Sequence, residues 1–578
     1  MESILKARKS IFFILVIFLI FNSIPLQVRP KSAMALMLSD KLVFYPLVAG
    51  IILDCYGFYR FKSKIFSVLD KRILLPLGIF IGIYLLVSSV SLAHGLITFP
   101  FYNEVINGST VGLEHTLSAF NFIKSKGINI SLKTFMILWL IVRYVKILLL
   151  STILTYGTSF MLLNWMYERP KEYINLLVKG TIVAIIILVV YSFIEVFYLA
   201  HNEWAEKLLT IINPYIHAVR VNGYWWPPLL WKNQLRSVFA EPSFFGIYAS
   251  FAMPLAWLAF IKQTKRVNKY GLGLLILAYT FILFLTNART ALVLFLGDIV
   301  LLVILTLYKR SKIIIRHTLT IIVITIIAFA GATGFISYAN IPLFGGNPQT
   351  ESSVKANDSH GKPQGKSQVK PQSKPQNKPQ SKPQNKPQSK PQNKPQGSIQ
   401  KKPSTVEKYV NSNLLSLKSS NQRSNGSRFT VLKADLEVGI EHPLLGVGMG
   451  LRSPYVSKKI SNYPNINNEL KGWIERGKKY GILDAGAPQM GHYSVTFCET
   501  GFIGLLLFLS LPLTVLFRSL TLLFNSNSQM EVYFMLISFM GVLASGIGDS
   551  LNITYCYWLM LAIVSSIYFN VINKKDIS

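Results

Sequence analysis

The feature that most constrains this chain is a recurrence of apolar runs near 20 residues long, the length an α-helix needs to cross ~30 Å of hydrocarbon. Such windows centre near residues 12–28, 43–59, 73–94, 134–160, 175–200, 239–261, 271–286, 290–308, 318–340, 495–517, 531–548 and 553–572. With 51 % hydrophobic and only 15 % charged residues, a soluble globular chain is excluded. The expected fold class is an all-α polytopic membrane protein with about 12 transmembrane helices and a large extracytoplasmic loop containing short helices. The first run follows Lys6, Arg8 and Lys9 as in a secretory signal, but no convincing small-residue cleavage site follows it and Arg29-Pro30-Lys31 comes next. It reads as a retained signal anchor.

Lys and Arg in short loops resist translocation and so set orientation. The loops holding Arg60, Lys62, Lys64, Lys71 and Arg72, then Lys262, Lys265, Arg266 and Lys269, then Lys309, Arg310, Lys312 and Arg316, fall on one side with both termini. That side is expected to be the cytoplasm, which sends residues 95–133, 201–237 and 342–493 outward. The chain then divides into transmembrane helices 1–9 over residues 1–341, a spacer over 342–403, an extracytoplasmic catalytic loop region over 404–494, and transmembrane helices 10–12 over 495–578. Cys55, Cys498 and Cys556 lie in or beside apolar runs without ligand spacing, so no disulfide framework or zinc site is expected.

The spacer carries a four-residue unit, mostly Lys-Pro-Gln followed by Ser or Asn, from Lys362 to Gly397. A tract without aromatic side chains and with Val369 as its only aliphatic one cannot offset its ordering entropy, and its prolines bias it toward extended polyproline II. It reads as a disordered cationic spacer; weak attraction to anionic wall polymer or lipid head groups is the other reading. It lacks the interleaved aromatics of a nucleic-acid platform, so no nucleic-acid partner is expected. The net charge of +33 partly reflects this insert.

Residues 403–493 differ. Leu432, Leu436, Ile440, Trp473 and Ile474 supply apolar surface at mixed helical spacing, as expected for short amphipathic helices lying over the outer face. His442-Pro443 should end the helix that begins near Arg428. The glycines at 446, 448 and 450 allow either a tight turn or a close backbone approach.

Two arginines stand where outer loops meet spans. Arg236 precedes Phe239-Ala240-Glu241-Pro242-Ser243, and Arg289 sits in Asn287-Ala288-Arg289-Thr290. A guanidinium at the edge of hydrocarbon is costly to desolvate unless an anion pairs with it, and its planar fork suits a pyrophosphate. Snorkelling to the head groups is the alternative. Between Gly426 and Gly504 a further set of polar signatures precedes an apolar run: Ser427-Arg428, then His442-Pro443-Leu444-Leu445-Gly446-Val447-Gly448, then His492 and Glu499-Thr500-Gly501.

This arrangement resembles the C-terminal half of the bacterial O-antigen polymerase and O-antigen ligase family. The resemblance is best defined over Arg236–Gly246, Asn287–Gly297 and Arg428–Gly504. It implies transfer of a glycan from undecaprenyl pyrophosphate to a hydroxyl of another lipid-linked repeat or of a lipid core. Arg236 and Arg289 would then match the arginines that hold the pyrophosphate, with Arg428 a further candidate. His492 would match the family histidine and act as the catalytic base, with Glu241 and Glu499 in support and no metal or cofactor. The expected partners are the lipid-linked donor and acceptor, membrane lipids, and a chain-length regulator and flippase of the same pathway.

The chain departs from the family pattern in two places. Tyr493 follows the histidine where the family often has Asn, and the Lys-Pro-Gln insert is not a family feature. Other polar residues carry weaker expectations. Arg143, Tyr144 and Lys146 lie within the fourth span, and Glu195 and Asp298 are candidates for structural pairing with such cations. Tyr224, Trp225, Trp226 and Trp231 read as an interfacial belt or as sugar-stacking rings. His94, His115, His201 and His217 also face outward but are not nominated. The polymerase reading is preferred to ligase-type transfer, and both to a flippase or exporter, for which internal symmetry between residues 1–340 and 495–578 is missing.

Overall fold

Each apolar window after the first falls on a helix, because a backbone in hydrocarbon must satisfy its own N–H and C=O groups. The computed structural model describes residues 2–21, 41–61, 71–107, 111–167, 169–217, 233–343, 404–413, 423–483, 486–524 and 530–575. The Lys-Pro-Gln tract and the aromatics at 224–231 lie outside the described residues. The first nine helices in chain order are α1 (Glu2–Phe18), α2 (Phe44–Phe61), α3 (Lys71–Thr98), α4 (Tyr102–Asn107), α5 (Val111–Ser125), α6 (Leu132–Thr152), α7 (Thr158–Met166), α8 (Pro170–Leu199) and α9 (Glu203–Ile216). The next four are α10 (Pro242–Lys262), α11 (Arg266–Leu285), α12 (Arg289–Lys309) and α13 (Lys312–Tyr338). Four short helices, α14 (Thr405–Asn413), α15 (Arg423–Glu441), α16 (Arg452–Ser461) and α17 (Asn468–Tyr480), precede α18 (His492–Phe524), α19 (Met530–Ser545) and α20 (Tyr555–Lys575).

Eight segments among the described residues are long and apolar enough to span a membrane: α3, α6 with α7, α8, α10 to α13, and α18. Met530–Ser545 and Tyr555–Phe569 are apolar but shorter. The protein is thus an all-helical polytopic membrane protein. α10 is its centre, with 89 % of its apolar window buried against at most 50 % in any other span. It packs on α8, α11, α12 and α19, and a helix apolar all round is one enclosed by others.

The first helix differs from expectation in register: it runs over residues 2–18 rather than 12–28. Arg8, read as a charge ahead of the run, is instead 5 % exposed within the bundle. Its Nε donates to Asp54 Oδ1 at 2.9 Å, and Trp165 Nε1 donates to Asp54 Oδ2 at 2.8 Å. A buried cation requires such a partner, and this one fixes α1 against α2 and α7.

α18 is two helices. Gly501 has φ 66° and ψ −165°, a region essentially reserved for glycine, and the chain reverses there. His492 and Phe508, 16 positions apart, consequently have ring centroids 4.4 Å apart. The segment 502–524 is long enough by itself to cross ~30 Å at ~1.5 Å per residue.

The break frees backbone groups, and the glycine-rich loop after α15 takes them up. Val447 N donates to Cys498 O and Gly448 N to Glu499 O, both at 2.9 Å, while Phe502 N donates to Pro443 O at 2.7 Å. Ser91 Oγ of α3 donates to Leu445 O and Glu499 O at 2.7 and 2.8 Å. The glycines therefore serve close approach: a Cβ at Gly446 would lie 2.4 Å from the Glu499 carbonyl carbon, and one at Gly501 2.3 Å from that of Leu444. Gly501→Ala should lower stability by at least about 2 kcal/mol, combining backbone strain with this overlap. A thermal unfolding curve in detergent matching that of the wild type would contradict it.

Candidate active site

The site is built where α10 and α12 begin. Pro242 opens α10 at a position where its missing N–H costs nothing, and Arg289 is the first residue of α12. The two helices touch one turn in: a Cβ on Gly246 would stand 2.3 Å from Ala291 Cα. Two helix N-termini thus converge at one end of the bundle, and each carries partial positive charge and outward-facing N–H groups.

The loop before α10 is tied to the turn before α12. Gln234 Nε2 donates to Asn287 O and Asn287 Nδ2 to Asn233 O, each at 3.0 Å, and Leu235 N donates to Leu285 O at 3.3 Å. Asn287 holds φ 47°, a left-handed conformation that Asn tolerates. These bonds bring Arg236 and Arg289 to the same end, as expected from the sequence.

The two arginines differ in setting. Arg289 is half-buried. Arg236 is 1 % exposed, so it does not snorkel. Its Nη1 donates to Ala240 O at 3.4 Å, while Nε and Nη2 have no hydrogen-bond partner among the described residues. Burial holds its pKa below the ordinary guanidinium value, and Glu195 opposes that shift. Two orphaned donors on a buried cation fit an anion.

Glu195 was expected to pair with cations of the fourth span; it serves this loop instead. Its Oε2 accepts from Ser237 N at 2.7 Å, and Ser237 sits at φ 55° in the left-handed region. The carboxylate therefore holds the strained turn next to Arg236. Beside it, Tyr191 Oη donates to Asn213 Oδ1 at 2.5 Å and lies 3.4 Å from His217 Nε2. Burial, then the charge of Arg236, keep the His217 imidazole well below its usual pKa. Glu195→Ala should cost most of the activity, and Glu195→Ala/Ser237→Gly should regain much of it, because glycine adopts this φ without support. Equal activity of the single and double variants at matched protein level would contradict this role.

The remaining weaker expectations resolve separately. Arg143 lies over the Trp139 ring, 5.4 Å from its centroid. Asp298 is fully buried on α12 beside Ser250 and Gly541, and neither carboxylate oxygen has a hydrogen-bond partner among the described residues, so it is not part of a structural pair. His94 lies within electrostatic reach of His442, whose pKa is lowered by burial and then by His94.

The loop helices supply the site's other wall. Arg428 Nη2 is 3.8 Å from Glu241 Oε2, both side chains being about one-third exposed or more, which joins α15 to the start of α10. His492 is 6 % exposed and packs its ring on Phe508. Its backbone N–H donates to Gly546 O at 2.7 Å and Asp549 O at 3.0 Å, so it is anchored to the loop after α19. Tyr493, in the place of the family's Asn, donates from Oη to Leu543 O at 2.5 Å and ties the same helix to α19.

Sequence reasoning missed Asp549. Burial pushes its carboxyl up to about 6, while its own contact with Ser550 N and the charges of Arg428 and Lys41 pull it down and Glu241 raises it. Asp549 thus shares the field of Arg428 and Glu241 while its backbone holds His492. The only sequence signal was a lone acid between two apolar runs. Asp435 and Arg452 were missed too. Arg452 donates from Nε and Nη2 to the two Asp435 oxygens at 2.5 and 3.0 Å, and from Nη1 and Nη2 to Ala487 O and Pro488 O at 3.1 and 3.2 Å. Ser494 Oγ adds a bond to Asp435 Oδ2 at 3.3 Å. Burial works against the Arg452 charge, but Asp435 more than offsets it and the guanidinium titrates above its ordinary value. This cluster holds the backbone that leads into His492 and the Ser494 side chain that follows it.

Glu499 lies at the Gly501 reversal. Its Oε1 accepts from Gly450 N at 3.1 Å, which makes it part of the loop clamp. Among the described residues, no group of three or more His, Cys, Asp or Glu could hold a metal ion. The three cysteines are free.

No curated protein matches the chain significantly. Residues 272–509 match the family model described as O-antigen ligase. That segment runs from α11 into α18 and contains Arg289, Arg428, His492 and Glu499, while Arg236 and Glu241 lie before it. In this segment, and so over the later helices of the bundle and the loop helices, the chain is similar to the O-antigen ligase family.

Proposed function

We propose that this protein polymerises undecaprenyl-pyrophosphate-linked oligosaccharide repeats for a capsular or extracellular polysaccharide, on the outer face of the cytoplasmic membrane with both termini inside. The observation that carries this reading is the convergence of two helix N-termini and two arginines at one end of the bundle, beside the Arg428–Glu241 pair. Such a concentration of fixed positive charge suits a diphosphate at the membrane surface.

In the proposed reaction the acceptor hydroxyl attacks the anomeric carbon of the donor and the carbon–oxygen bond to the pyrophosphate breaks. Attack opposite the leaving group inverts the configuration. The hydroxyl proton passes to the His492 imidazole, and the electron pair of the broken bond leaves with the lipid pyrophosphate. Guanidinium groups and helix N-termini are already oriented when that charge develops, which is where electrostatic stabilisation is greatest. This division of labour requires no metal. Glu241 holds Arg428 at the site, and Asp549 fixes the backbone of His492.

Polymerase is preferred to ligase because the cationic Lys-Pro-Gln spacer suits passage through a thick anionic wall. The ligase reading is favoured by the description of the matched family. The two are separated by the length distribution of surface polysaccharide on deleting this protein: a polymerase leaves single repeats, whereas a ligase leaves long chains that fail to attach. Arg289→Lys tests the diphosphate contact. It keeps the charge but loses the fork, and activity should fall about ten-fold or more, since one hydrogen bond to a charged group is worth ~1.5–3 kcal/mol. Full activity in that variant would rule out bidentate binding by Arg289.

A further inference from the structure

At the end of the bundle opposite this site, basic side chains are unevenly partnered. Lys262 is paired with Glu531, Lys269 Nζ meets His317 Nε2 at 2.9 Å, and Lys309 Nζ donates to Leu523 O at 2.7 Å. Lys312 and Arg316 differ: both are exposed, and neither forms an ion pair with a carboxylate among the described residues. They are one turn apart on α13, and the face they share continues through Ile315, Leu319 and Val323. Together these side chains line a groove of 570 Å³.

The depth of each residue gives the groove its chemistry. Arg310, in a left-handed conformation at φ 47°, ends α12, and α13 starts two residues later, so Lys312 and Arg316 stand at the turn between two spans. At ~1.5 Å per residue, Leu319 and Val323 lie roughly 10 and 16 Å farther along the helix. Cations at head-group level above an aliphatic wall at acyl depth match one amphiphile with an anionic head.

We propose that this groove is a binding site for an anionic phospholipid, its phosphate held by Arg316 and Lys312 and one acyl chain lying along Ile315, Leu319 and Val323. Arg316 can grip phosphate oxygens through its fork, and Lys312 adds a compact charge. An ordinary lipid annulus would show no head-group preference, whereas this site does. Two cations at such a surface correspond to a preference of roughly 30-fold.

The test titrates the purified full-length protein in detergent with phosphatidylglycerol or phosphatidylcholine and follows bound lipid by native mass spectrometry. Wild type should bind phosphatidylglycerol saturably and roughly 30-fold more tightly than phosphatidylcholine. Lys312→Ala/Arg316→Ala should erase that preference, while Lys265→Ala/Arg266→Ala, on exposed cations at the same end, should keep it. All four side chains are exposed, so the variants should fold; unchanged thermal transitions verify this. Equal binding of the two lipids by wild type, or an undiminished preference in the Lys312/Arg316 variant, overturns the proposal. So does a variant that keeps its lipid preference but dissociates from a dimer, since the groove would then seat a second copy of the chain.

Discussion

Cells that express His492→Ala at the wild-type protein level should show no surface polysaccharide longer than one repeat. Losing the general base of the proposed reaction costs roughly 10²- to 10⁴-fold in rate, which in a polymerase leaves too few transfers to build a ladder. Because the ring also packs on Phe508 at 4.4 Å, the alanine variant by itself mixes lost chemistry with lost packing. His492→Phe separates the two, since it fills the space with a ring that has no nitrogen. The variant should accumulate in the membrane better than the alanine form and be equally inactive. A normal ladder from His492→Phe would remove the imidazole from the reaction and leave it a packing residue.

The second large effect is expected away from the reacting atoms. Arg452→Ala leaves the buried Asp435 carboxyl without its cation, and breaking a buried pair from one side costs about 3–5 kcal/mol. It also releases Ala487 O and Pro488 O, the backbone that leads into His492. The variant should unfold at a lower temperature in detergent and lose activity beyond what its abundance explains. Asp435→Leu/Arg452→Met removes both charges and should recover much of the stability while staying impaired, because the carbonyl contacts remain absent. If Arg452→Ala matched the wild type in both thermal transition and polysaccharide output, the cluster would have no role in holding His492.

The same elements show how far the sequence reaches. The membrane class, the helices under the apolar windows after the first, and the helix end at Glu441 before His442-Pro443 all follow from local chemistry. Length and apolarity place a segment in hydrocarbon, and a proline disfavours helical geometry in the residue before it. The register of α1 was not legible, because it depends on Arg8 meeting Asp54 and Trp165 on two other helices. Nor was the reversal at Gly501: an apolar run holding Gly501 and Gly504 reads as an unbroken span until a second loop is seen to supply the missing hydrogen-bond partners.

At the site, sequence alone determined which residue types were available: arginines at span edges, a histidine before an apolar run, and a glycine-rich turn after a proline. Tertiary structure decided their partners. It put Glu195 under Ser237, Glu241 beside Arg428, Asp435 against Arg452, and Glu499 in the loop clamp. The physical reason is range. Periodicity and turn chemistry act over a few residues, whereas a buried charge takes whichever partner the packing of distant helices brings within hydrogen-bond distance.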